Sequence, residues 1–121
     1  MQLIQGFFIK NGNYYCMDKH TLELKQLLKD MPSYSIQGIT NLVTVHTKYK
    51  EVLYAISATN KELKDVIKPL ETLAEMMDLV LGKIHLEQEP ERRIVFNKAA
   101  AETIEMIDTL LIIIEAHAEG L

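Results

Sequence analysis

The only two arginines of this chain stand side by side, in the run Glu91-Arg92-Arg93-Ile94-Val95-Phe96-Asn97-Lys98. Arginine in the first turn of a helix runs against the dipole preference there, which favours acids. Guanidinium groups beside the N–H donors of a helix N-terminus make a site for phosphate, gripped bidentately where geometry allows. Phe96 offers a ring face on which a base can stack, and Asn97 a donor and an acceptor for a base edge. Lys98 extends the run, and Lys83 should lie nearby across a hairpin turn. These six residues form a candidate ligand-binding set for a small anionic, nucleotide-like molecule. A second reading pairs Arg92 and Arg93 with Glu87, Glu89 or Glu91 on a solvated tip.

The carboxylates form a second constellation. Glu71, Glu75 and Asp78 would face Glu102, Glu105 and Asp108 if two long helices pair in register. Carboxylates on neighbouring helices hold Mg²⁺ in all-α nucleotide pyrophosphohydrolases. Here, however, Glu71, Glu75, Asp78, Glu102 and Glu105 project away from the apolar stripes, whereas metal sites in bundles turn their ligands inward. A solvated face is the favoured reading, and no metal site is assigned. His20, His46, His85 and His117 lack metal-ligand spacing. Cys16 reads as a small buried hydrophobe. No Gly-rich phosphate loop, serine elbow or Walker pattern occurs, so no catalytic residue and no cofactor are expected.

The elements that must position these residues divide the chain in two. From Thr59 to Leu121, two amphipathic helices meet at Glu87-Gln88-Glu89-Pro90. The first repeats apolar residues from Leu63 to Ile84 at three-and-four spacing, and the second does so from Phe96 to Ala118. The short break predicts an antiparallel hairpin. Thr59 and Glu62 fit a capping box, Pro69 should bend the first helix, and Gly82 should mark close packing. Residues 1–58 read as β-rich. Asn11-Gly12 between Phe7-Phe8-Ile9-Lys10 and Asn13-Tyr14-Tyr15-Cys16 predicts a β-hairpin over residues 2–17. A short helix opened by Asp18 should stop before Pro32. Ile36, Ile39, Val43, Val45, Val52, Tyr54 and Ile56 suggest strands over 35–57. The expected class is α+β, with N-terminal antiparallel β-hairpins and a short helix before a long C-terminal helical hairpin, in one domain spanning 1–121.

Composition bounds the partners. A formal charge of −4 gives no basic footprint for duplex nucleic acid or an anionic membrane. No apolar run is long enough for a membrane span, and the first residues lack a signal-peptide pattern. One cysteine excludes an internal disulfide framework. A cytoplasmic protein is the expectation.

The second helix carries more apolar surface than one partner helix covers. Ile104, Ile107, Leu111 and Ile114 cluster on one side while Met106, Ile112 and Ile113 point elsewhere. A sheet can cover the second face, and compatibly with that a homo-oligomer packing through these seven residues is expected. Strands first and a long helical hairpin last, in about 120 residues, resembles the layout of the phage anti-Thoeris sponges. Those small oligomeric proteins sequester cyclic ADP-ribose-type signals without catalysis. The resemblance spans the whole chain as layout, and Arg92, Arg93, Phe96 and Asn97 are the residues suited to such a ligand. It implies a non-enzymatic anti-defence sponge. A protein–protein inhibitor or adaptor using apolar helix surface, and a Mg-dependent nucleotide hydrolase, are the alternatives.

Overall fold

The computed structural model describes residues 12–119, with side chains from 19 to 118. Four helices follow one another: α1 (Gly12–Lys29), α2 (Ile36–Thr59), α3 (Lys61–Lys83) and α4 (Glu89–Glu119), with a 3-10 turn, Ile84–Leu86, before α4. There is no strand among the described residues, so the expected α+β class is corrected to an all-α bundle. The helical hairpin survives as α3 and α4. Residues 2–11 of the expected β-hairpin lie outside the described residues, and residues 12–17 belong to α1. Asp18 therefore sits inside a helix rather than capping one, although α1 does stop before Pro32.

The stretch read as strands is α2, and its period explains why. Ile39, Leu42, Val45, Tyr49, Val52, Leu53 and Ile56 are buried, while Ile36, Val43 and Tyr54 are exposed. That spacing is three-and-four, not two, so burial of one helical stripe overrides the β-branched composition. Ser35 caps the helix in extended backbone, its hydroxyl accepting from the Gly38 N–H at 2.8 Å. At the far end a single residue joins α2 to α3. The Asn60 N–H donates to the Ile56 carbonyl at 2.9 Å, and the Asn60 carbonyl accepts from Leu63 at 3.0 Å. Thr59 ends α2 and donates its hydroxyl back to the Ala55 carbonyl at 2.9 Å, so the capping box is not formed.

α3 continues through Pro69, which is exposed, so the carbonyl one turn back that loses its donor can turn to water. Gly82 marks no close contact: a Cβ there would meet nothing within 4 Å. Gly38 is the position that needs glycine, because a Cβ would stand 2.5 Å from the Ser33 carbonyl oxygen and 3.5 Å from the Phe96 ring. That contact seats the start of α2 on α4.

Neighbouring helices pack as α1 on α2, α2 on α3, α3 on α4 and α4 back on α1, with α2 also touching α4 across the middle. This is an up-down-up-down bundle with short links. One continuous core runs through it, including Leu24, Leu42, Leu53, Ile67, Phe96 and Leu110. Each such fully buried side chain contributes roughly 1.5–3 kcal/mol of transfer free energy. α4 is apolar on several faces because three helices surround it, and no sheet is needed. Met106, Ile107, Leu111 and Ile114 take places in this core rather than on an outer interface. Ile113 is half-buried, and only Ile104 and Ile112 stay exposed.

Candidate functional site

The arginine pair is built into the joint between the α1–α2 link and the start of α4. The Gln88 carbonyl accepts from the Arg92 N–H at 2.6 Å, closing the first turn of α4. The Arg92 side chain then folds back, donating from Nη2 to the Glu87 carbonyl at 3.0 Å and placing Nη1 3.5 Å from the Glu89 carboxylate. The buried Arg92 Nε finds no partner among the described residues. Arg93 lies over the Tyr34 ring, 5.4 Å from its centroid, and the Tyr34 hydroxyl donates to Glu89. That bond, with Glu89's charge, raises the Tyr34 pKa.

Phe96 is 1% exposed and meets Tyr34 edge-on with centroids 5.4 Å apart, so its ring is covered by protein and not open to a stacking base. Asn97, Lys98 and Lys83 are exposed and make none of these contacts. Arg92 thus acts as a tether and Arg93 as a lid on an aromatic pair, and Tyr34 is the residue that organises them. The sequence signal for Tyr34 was slight: an aromatic between two serines after a proline.

The two carboxylate sets do not meet. Asp78 turns toward α2, where Oδ2 accepts from Lys50 Nζ at 2.7 Å and Oδ1 lies 3.1 Å from His46 Nε2. Glu102 and Glu105 line the other flank of α3. Among the described residues no group of three or more His, Cys, Asp or Glu is placed to hold a metal ion.

His46 is the titratable group that sequence spacing passed over, although it falls in step with Leu42, Val45 and Tyr49. It is 1% exposed, with Nε2 also 3.1 Å from the Ala74 carbonyl. Its Nδ1 and the Tyr49 hydroxyl are both buried without a partner among the described residues. Burial lowers the imidazole pKa, and Asp78 opposes that shift. Burial likewise raises the Tyr49 pKa. The Asp78 hydrogen bond raises that of Lys50. With its far nitrogen sealed in the core, His46 serves to latch α2 to α3.

The concave features differ in character. A groove of about 490 Å³ between α1 and α2 is polar, its Lys19 and Lys48 balanced by Glu23, Asp30 and Glu51. A groove of about 270 Å³ between α3 and α4 is mostly apolar, lined by Leu73, Met76, Met77, Val80 and Met106 with Glu102 and Glu105 at its rim. Beside it α3 leaves Val66, Leu73, Met76 and Leu79 exposed, at 52%, 46%, 57% and 69%. Val66, Leu73 and Met76 share one face of the helix, and Leu79 lies farther round it. Among the described residues no helix is long and apolar enough to cross a membrane, so this apolar stripe is not a span.

The layout that resembles the anti-Thoeris sponges, strands ahead of a helical hairpin, is not found among the described residues. No protein-family model, curated protein or solved structure matches the chain.

Proposed function

We propose that this chain is a non-enzymatic interaction module that docks a protein partner on the α3–α4 groove. What supports this is the second apolar stripe of α3. Its first stripe, Leu63, Ile67, Leu70, Ala74, Met77 and Leu81, already supplies the bundle core. Val66, Leu73, Met76 and Val80 form another beside it that the bundle leaves partly uncovered. Exposed apolar residues gathered on one helix face beside a groove are the kind of surface that marks interaction sites on soluble proteins. Arg92 and Arg93, in contrast, spend donors and ring-facing surface on holding the fold together.

The test is site-specific photo-cross-linking in the native cell, with a benzophenone residue at Met76 and, as control, at Lys25 on the exposed side of α1. A discrete adduct from position 76 that is lost on Leu73→Ser is expected. Adducts of equal yield at both positions, or at neither, would remove the groove as the working surface.

A further inference from the structure

Resting on the α3–α4 groove as the working surface, we infer that its occupant is an amphipathic helix whose apolar ridge is flanked by lysine or arginine. The walls decide the shape of the guest. Both are α-helices, so there is no open strand edge for an added β-strand. None of the seven lining residues is aromatic, so the trough lacks the ring-lined clefts that grip polyproline segments. A linear trough between antiparallel helices accepts a ridge of side chains at i, i+3, i+4 and i+7, which is what another helix presents.

The floor decides how selective the fit is. Met76, Met77 and Met106 are three of the chain's six methionines, gathered on one groove, Met76 on its open wall and Met77 and Met106 buried beneath it. The unbranched thioether of exposed Met76 can repack around differently shaped apolar guests, so the groove accommodates a ridge of leucine, isoleucine or phenylalanine.

The rim decides the charge. Glu102 and Glu105 are the only charged residues lining the groove, and neither enters an ion pair among the described residues. A guest with acidic flanks would add repulsion to the cost of desolvating these carboxylates, and one with cationic flanks relieves it. A second copy of this chain is the competing occupant, and in a two-fold pairing Glu102 and Glu105 would meet their own counterparts only where they lie at the axis.

The experiment uses the full chain and three labelled synthetic 18-residue helices that share one leucine ridge and differ only in flanks of lysine, glutamate or serine. Fluorescence anisotropy should rank lysine above serine above glutamate. Glu102→Gln with Glu105→Gln should weaken the lysine helix roughly three- to tenfold and leave the serine helix unchanged. Raising salt should erase the same margin. Equal binding of the lysine and glutamate helices overturns the charge inference while leaving the groove as a docking site. Failure of all three to bind, or binding that survives Leu73→Ser with Met76→Ser, overturns the groove itself. Sedimentation velocity supplies the last arm: a concentration-dependent dimer lost in that same double variant makes the second copy the occupant and overturns the cationic guest.

Discussion

Asp78 on α3 reaches across to His46 on α2, carboxylate Oδ1 to imidazole Nε2 at 3.1 Å, and Lys50 holds its other oxygen at 2.7 Å. The imidazole is in the core and the carboxylate is at the surface, so one bond spans the boundary between them. Its proton on Nε2 has acceptors in Asp78 and Ala74, whereas a second proton on Nδ1 would have none among the described residues.

Stability should therefore fall in mild acid. Burial sets the folded-state pKa of His46 below the unfolded value near 6.5. As pH drops through that unfolded value, the unfolded chain takes up a proton that the folded chain refuses. The stability present above about 6.5 is lost until the folded-state pKa is reached, at no more than about 1.4 kcal/mol per pH unit. Melting temperatures between pH 7.5 and 5 should decline more steeply in the wild type than in His46→Gln. Parallel curves would assign the loss to other groups.

Gly38 and Gly82 should answer alanine with opposite signs. Gly38→Ala forces a Cβ toward the Ser33 carbonyl and the Phe96 ring, and overpacking of this kind costs about 1–3 kcal/mol. Gly82→Ala meets open space within α3 and should gain up to about 1 kcal/mol from helix propensity. Urea midpoints at constant slope measure both.

Adjacent methionines on α3 should separate the buried floor of the groove from its open wall. Met77 is buried, and Met77→Ala is expected to cost about 2–5 kcal/mol. Met76 is 57% exposed, and Met76→Ala should stay within about 0.5 kcal/mol while weakening whatever binds the groove. A comparable loss of stability at both positions would mean that Met76 belongs to the core.

Removing the arginines should loosen the joint between the α1–α2 link and the start of α4. Arg93→Ala forfeits a stacked cation at an exposed position, about 0.5–1 kcal/mol. Arg92→Ala releases the Glu87 carbonyl and should cost about 1–2 kcal/mol, since a charged hydrogen bond with partial burial is lost. Hydrogen exchange should quicken at 30–36 and 84–92 together, because Tyr34 and Glu89 tie these segments.

The C-terminal half was legible because its signals agree. Apolar spacing, the polar break at 87–90 and Pro90 all describe the same hairpin, and α3 and α4 follow it. The N-terminal half misled through composition. Val43, Val45, Val52 and Ile56 are residues that strands favour, yet their neighbours Leu42, Tyr49 and Leu53 complete a period of 3.6. Ser35 followed by Gly38 was the start signal, visible only once a helix is supposed. The candidate site was less legible still. Arg92 and Arg93 stand out by rarity, but only the distant Tyr34 shows what they hold. The groove is invisible to any single helix, because Leu73 and Met76 gain meaning from Glu102, Glu105 and Met106 some thirty residues away.

The single-residue joint at Asn60 also sets an order of assembly. α2 and α3 meet after closing almost no loop, so their pairing costs little chain entropy and its contacts are local. α1 and α4 are also neighbours, yet α2, α3 and both longer links lie between them in the chain. Folding should then proceed from the middle of the chain outward, with the α2–α3 pair forming early and the α1–α4 seam late. Substitutions at Leu24 on α1 and Leu110 on α4, both fully buried, are accordingly expected to speed unfolding more than they slow folding.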